Sequence, residues 1–170
     1  MTIAAATAAD AAALGAAHVA AWRETYPGIL SEAVLSEHDA AARAAMWARI
    51  IAAGTTVLLA RDAEGRVVGF VSAGPQREPE VVDYPGEIYS IYLLRAGQRR
   101  GLGRALMAGA ARSLLARGLT SANLWVLDGN EAAIAFYTAL GGRVVKRRTL
   151  PEWEASEAAF AWDDLTALAG

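Results

Sequence analysis

Cysteine is absent from the 170 residues, which excludes a disulfide framework, a thiol nucleophile and a zinc–thiolate site. An excess of charge is missing too. Sixteen Lys and Arg against 18 Asp and Glu leave a formal −2 and a pI near 5.7, so no long-range field draws a polyanion. Neither nucleic acid nor an anionic membrane is an expected partner. No apolar run approaches the roughly 18 residues of a membrane span, and the N-terminus, MTIAAATAADAAAL, carries Asp10 and no basic residue where a signal peptide needs its basic stretch. A cytoplasmic location is the expectation. His18 and His38 are the only imidazoles. G-x-S-x-G and H-E-x-x-H are missing altogether, so hydrolase and metalloprotease chemistry lack their parts, and no metal site is expected. Nothing rich enough in Gly, Ser and Pro divides the chain, and no repeat recurs along it. A single domain over residues 1–170 is the expectation.

Alanine is abundant, at 41 residues, so the 55 % hydrophobic content overstates core volume; bulk comes from Leu, Val, Ile and five Trp. After a short edge strand near Thr2 to Ala6, Thr7 caps a helix running to about Tyr26, with Leu14, His18, Trp22 and Tyr26 recurring every four residues. Ser31 or Ser36 opens further helix through Trp47 and Ile51, closed by Gly54. TTVLLA, an Asp-Ala-Glu-Gly turn at 62–65 and RVVGFVSAG read as strand, turn and strand. QREPEVVDYPG is a loop, and EIYSIYLL, residues 87–94, a buried central strand. Helix from about Leu102 to Arg117 carries Leu102, Leu106, Ala110 and Leu114 on one stripe; SANLWVL is the next strand. Asn130 caps a helix that stops at Gly141-Gly142, and RVVKRRTL with EAAFAWDDL finish as an antiparallel pair. The order is α/β with a mixed sheet.

Between the 87–94 strand and its following helix lies GQRRGLGRALM, Gly97 to Met107. Free backbone N–H groups at the positive end of a helix dipole form an anion cradle suited to phosphate. A Cβ at Gly101 or Gly103 would hold phosphate oxygens off the backbone, and Arg99, Arg100 and Arg104 add charge at the rim. A plain helix start with solvated arginines is the rival reading. The Walker ending Gly-Lys-Ser/Thr is absent. The dinucleotide fingerprint fails as well, because Leu106 stands where a small residue is required.

The run Gln98-x-x-Gly101-x-Gly103 after a strand resembles the acetyl-CoA signature of the GNAT superfamily of N-acetyltransferases. Asn130-Glu-Ala-Ala-Ile-Ala-Phe-Tyr137-x-x-x-Gly141-Gly142 resembles the later motif of that family, EIYSIYL the strand before the signature, and HVAAWRETYPGIL, residues 18–30, the substrate-side helices of many bacterial members. One departure is visible: the family often has proline at the position of Arg95.

The resemblance implies a GNAT-like mixed, mostly antiparallel central sheet flanked by helices and splayed between the strand at 87–94 and the strand at 121–127. It implies acetyl-CoA as co-substrate, its diphosphate held by Gln98, Arg99, Arg100, Gly101, Leu102, Gly103 and Arg104, its pantetheine arm paired with main-chain groups of Ile91 and Leu93, and Asn130 touching it. The Leu93 N–H would polarise the thioester carbonyl. Glu87 matches the position of a base glutamate in some members, and Tyr137 that of the tyrosine protonating the leaving sulfur. A strand-end carboxylate paired with an arginine is the rival reading for Glu87, and a core tyrosine for Tyr137. Trp22 and Tyr26 would wall the acceptor pocket, although aromatics at helical spacing also build cores. Glu78, Glu80 and Asp83, with Arg77 beside them, would favour a cationic amine; a solvated turn explains them equally well. The expected activity is acetyl transfer from acetyl-CoA to a primary amine by direct attack in a ternary complex, without metal. A small molecule is favoured over a peptide as acceptor, and homodimer formation is left open. The alternative is a non-catalytic CoA-binding sensor; acetylation of aminoacyl-tRNA would need a basic face that a net −2 chain does not announce.

Overall fold

The computed structural model describes residues 1–37, 39–77 and 79–170. In chain order its elements are β1 (Thr2–Ala5), α1 (Ala11–Thr25), α2 (Glu32–Ser36), α3 (Ala40–Ala52), β2 (Thr56–Arg61), β3 (Val67–Pro75) and β4 (Gly86–Leu93). There follow α4 (Leu102–Ala116), β5 (Ala122–Leu127), α5 (Glu131–Ala139), β6 (Arg143–Leu150), β7 (Ala155–Trp162) and α6 (Thr166–Ala169). The strands form one seven-stranded sheet in the order β1-β2-β3-β4-β5-β7-β6. Every neighbouring pair is antiparallel except β4 and β5. The mixed, mostly antiparallel sheet expected from the sequence is therefore present.

The β2–β3 turn is fixed by Asp62, whose carboxylate accepts from the Glu64 and Arg66 amides at 3.1 and 2.8 Å. Next to it, β3 is buried from Val67 to Gly74, as befits a strand covered on both faces. The stripe of α4 is buried as its spacing requires: Leu102, Leu106, Ala110 and Leu114 all sit in the main core. Burying each leucine contributes about 1.5–3 kcal/mol.

One sequence expectation is corrected. The helix expected from Ser31 or Ser36 to Gly54 is two helices. Ser31 caps α2, accepting from the Val34 amide at 3.4 Å, and Asp39, in extended backbone, caps α3 by accepting from the Ala42 amide at 2.8 Å. A carboxylate that satisfies a free helix N–H, worth about 1 kcal/mol, favours starting a new helix over continuing the old one. The last hairpin, β6 and β7, pairs antiparallel as expected; β7 lies between β5 and β6, so residues of β6, β7 and their connection face the site.

What positions the site is the join between β4 and β5. They pair at Gly86↔Ala122 and Glu87↔Asn123 and nowhere beyond. On the other edge of β4, Ser90 pairs with Ser72 and Ile88 with Ala73, leaving Tyr89 as a bulged extra residue. A bulge bends its strand and increases local twist, which turns the remainder of β4 away from β5. Burial records the divergence: β4 is buried over residues 86–88 and half-buried over 89–93.

Candidate functional site

A cavity of about 820 Å³ occupies the opening between β4 and β5. Its floor is β4 from Ile88 to Leu93, and α4 and α5 close it through Gly103, Arg104 and Phe136 among others. At its mouth the chain leaves β4 through a 3₁₀ turn at Arg95–Gly97. Arg99 (φ 57°) and Gly101 (φ 77°) are both left-handed. Left-handed residues alternating with ordinary ones turn successive amides toward one point, forming an anion nest. Holding a non-glycine residue there costs on the order of 1–3 kcal/mol, and glycine at 101 removes that cost from the second position. The first hydrogen bond of α4 runs from the Ala105 N–H to the Gly101 carbonyl at 3.0 Å, and no side chain caps the helix. The Leu102, Gly103 and Arg104 amides therefore point ahead of the helix.

Of the cofactor residues named from the sequence, Ile91, Leu93, Gln98, Arg99, Gly101, Gly103, Arg104 and Asn130 line this cavity. Arg100 and Leu102 do not contribute side chains to it: Arg100 is exposed, and Leu102 is buried in the core beneath. Gln98 folds back to donate from Nε2 to the Leu93 carbonyl at 3.0 Å, and Asn130 caps α5 by accepting from the Ala133 amide at 3.3 Å. Arg95 explains the departure from proline. Its N–H donates to the Glu24 carboxylate at 2.7 Å, tying the end of α1 to the loop, and proline has no N–H to donate.

Main-chain direction along β4 follows from one bond. The Leu94 N–H donates to Val68 of β3 at 2.9 Å. Successive amides alternate edges, so the N–H groups of Leu93 and Ile91 face the side from which β5 has withdrawn. These are two donors in line, on the edge of β4 that no strand pairs at that height among the described residues.

Tyr137 reaches the cavity from α5. Its ring packs against Phe136, Phe160 and Trp162 at centroid distances of 5.6, 5.9 and 6.2 Å, so the core and cavity roles coexist. Burial pushes its phenol well above the usual tyrosine range, and it stays protonated at neutral pH. Tyr26 and Tyr92, whose hydroxyls are 2.9 Å apart, are pushed up as well, again chiefly by burial. The folded state therefore holds these three protons more tightly than the unfolded chain, whose tyrosines titrate near 10.0. Their contribution is complete below that value and is lost as pH rises beyond it. The urea midpoint is expected to hold from about pH 7 to 9 and to fall between about pH 10 and 11; a midpoint constant to about pH 11 would contradict the burial of these phenols.

A second cavity, of about 220 Å³, adjoins the first. Tyr26, Ile88, Tyr89, Tyr92 and Trp125 line both. Trp22 and Tyr26 both line it, with Trp22 edge-on to Trp153 at 5.8 Å. Glu87 also lines it and is 3 % exposed. Both its carboxylate oxygens are engaged by Arg77: Nη2 donates at 2.7 Å, the main-chain N–H at 2.9 Å and Nε at 3.4 Å. Sequence reasoning missed Trp125, Arg148, Trp153 and Glu157, which come together only because β7 inserts beside β5. Of the acidic loop, Glu78 lies outside the described residues, Glu80 pairs with Arg148 at 3.6 Å, and Asp83 is exposed. His18 is a core residue, its Nδ1 accepting from the Trp47 indole at 3.1 Å; His38 lies outside the described residues. Among the described residues no group of His, Asp or Glu is placed to hold a metal ion, and no helix is long and apolar enough to cross a membrane.

Known proteins share this arrangement. The sequence model of the acetyltransferase (GNAT) family matches residues 18–141. A Bacillus subtilis protein named as the uncharacterized N-acetyltransferase YuaI is 36 % identical over 152 residues, 89 % of this chain and 86 % of that one. The mycothiol acetyltransferase of Saccharomonospora viridis is 40 % identical over 91 residues, spanning 52 % of this chain but only 30 % of its own length. In fold, the Salmonella typhimurium acetyltransferase yncA, solved with acetyl-CoA, superimposes with a TM-score of 0.72 at 24 % identity, over 97 % of this chain and 94 % of that one.

Proposed function

Since the chain belongs to the GNAT acetyltransferase family and is by that membership an acetyl-CoA-dependent acyltransferase, we propose that it acetylates the primary amine of a small molecule by direct attack in a ternary complex. The observation that carries this reading is the pair of cavities meeting at the β4–β5 opening, one edged by a nest of free amides and the other holding a buried carboxylate. Family membership favours catalysis over the sensor alternative.

Acetyl-CoA supplies the acetyl group as an activated thioester. The amides from Arg99 to Arg104 suit its diphosphate, with Arg99 and Arg104 adding charge from the cavity rim. The free N–H of Ile91 pairs with the pantetheine arm, and that of Leu93 polarises the thioester carbonyl; a donor aimed at a developing oxyanion contributes roughly 3 kcal/mol. Asn130, at the head of α5, steadies the opposite wall.

The acceptor enters through the smaller cavity between Trp22 and Tyr26. An amine with a lysine-like pKa of about 10.4 must lose a proton before it attacks, and Glu87 is the carboxylate in that cavity proposed to take it. Since Arg77 already engages both oxygens, the incoming proton displaces one of these bonds. Tyr137, protonated throughout the neutral range, supplies the proton that the departing sulfur needs. The second proton that the nitrogen sheds as the amide forms replaces the one that Tyr137 gave up, so the three transfers balance.

Glu87→Gln is expected to lower kcat/KM about 10²–10⁴-fold, measured by thiol release from acetyl-CoA. A loss below about tenfold moves the base elsewhere and leaves Glu87 as the anchor of Arg77.

A further inference from the structure

The smaller cavity holds two arginines, and both are built the same way. Arg77 is clamped by Glu87 on one side and by the ring of Tyr89 on the other, its guanidinium carbon 3.7 Å from the ring centroid. Arg148 is clamped by Glu157, Nε to Oε1 at 2.6 Å, and lies over Trp125 at 4.1 Å. A guanidinium fixed between a carboxylate and an aromatic face has already lost its side-chain freedom, so a further contact made by its planar fork costs little entropy. Arg77 keeps a donor for such a contact. Its Nε and Nη2 serve Glu87, Nη1 has no hydrogen-bond partner among the described residues, and the side chain remains 56 % exposed.

An acceptor that was only a cation would have no use for these groups. The charged side chains lining the cavity are Arg77, Arg148, Glu87 and Glu157, two of each sign. Balanced charges in a space of about 220 Å³ give a polyamine no net attraction, whereas a molecule carrying both signs matches them. The remaining wall is aromatic, with Trp22, Tyr92 and Trp153 offering apolar surface and little room for a bulky ligand.

We infer that the acceptor is a small zwitterion, an α-amino acid with an apolar or aromatic side chain. Its carboxylate meets Nη1 of Arg77, its amine lies at the seam shared with the larger cavity, and its side chain rests against the aromatic wall. This rests on the acetyl-transfer reading above and narrows its acceptor to an amine that also carries a carboxylate. In the reaction the ammonium gives one proton to the base, the nitrogen forms the amide bond to the acetyl carbon, the carbon–sulfur bond breaks, and the second proton the nitrogen sheds balances the one the thiolate takes to give free CoA.

The test uses the full chain with acetyl-CoA and reads thiol release for L-phenylalanine and L-leucine, their carboxamides, the amines left on decarboxylation, and spermidine. Each amino acid is expected to exceed its amide and its decarboxylated amine in kcat/KM by at least about tenfold, equivalent to ~1.4 kcal/mol. In Arg77→Gln that ratio should collapse toward one, whatever the variant does to the absolute rates. If decarboxylated amines or spermidine react as well as the amino acids in the natural protein, the zwitterion inference is overturned and acetyl transfer stands. If no acceptor of any class releases thiol, both readings fall.

Discussion

Gly103→Glu is expected to abolish acetyl-CoA binding in calorimetry while the protein stays folded. The residue lies in the first turn of α4 and lines the larger cavity. A Cβ built there meets only the tip of the Phe136 ring at 3.1 Å and Leu93 Cδ1 at 3.4 Å, so side chains shift by a few tenths of an ångström. Helix propensity gains up to about 1 kcal/mol when glycine is replaced, and a carboxylate in the first turn suits the dipole. Stability is therefore nearly unchanged, with the melting temperature within a few degrees. Binding is not, because the new carboxylate competes for the amides that would hold the diphosphate and repels it. Losing two charge-assisted hydrogen bonds, each about 1.5–3 kcal/mol, weakens affinity at least about 100-fold. An affinity within a few-fold of the natural protein would place the diphosphate somewhere other than this loop.

Tyr137→Phe is expected to separate chemistry from binding. The ring packs among Phe136, Phe160 and Trp162, and phenylalanine keeps those contacts. No hydrogen bond among the described residues uses the hydroxyl, so its loss leaves no orphaned partner. What disappears is a proton donor that burial keeps charged with its proton. General acid catalysis contributes about 10²–10⁴-fold, so kcat falls at least about 100-fold while the Kd for acetyl-CoA changes less than about twofold. The raised phenol also means that Tyr137 adds no limb to the pH profile near neutrality. Unchanged turnover would leave it a core residue and nothing more.

How far such a site can be read from sequence depends on how local its determinants are. The amide nest is local: Gln98, Gly101 and Gly103 sit within six consecutive residues, and the leucine stripe of α4 follows directly. Asn130 and Tyr137 are likewise fixed by one cap and two turns of helix. Asp39 is not legible as a cap because the alanines that follow it supply helix propensity without showing where one helix stops and the next begins. The smaller cavity is the opposite case. Arg148, Trp153 and Glu157 reach Glu87 only because β7 pairs with β5 before β6 pairs with β7, and hydrophobic alternation reports a strand's faces without reporting its neighbours. The Arg77–Glu87 pair was foreseen in kind, as a strand-end carboxylate meeting an arginine. Its partner could be named only once the bulge at Tyr89 had set the direction of the strand.

The opening beyond Glu87 leaves β4 a central strand that finishes as an edge. An unpaired ladder inside a seven-stranded sheet is a template for any extended chain with matching donors and acceptors, including a strand of another copy. In the proposed reading the amide-bearing arm of acetyl-CoA completes that ladder as a surrogate strand. Saturation with acetyl-CoA is then expected to shield the protein from edge-to-edge aggregation, with the ligand-free form precipitating first.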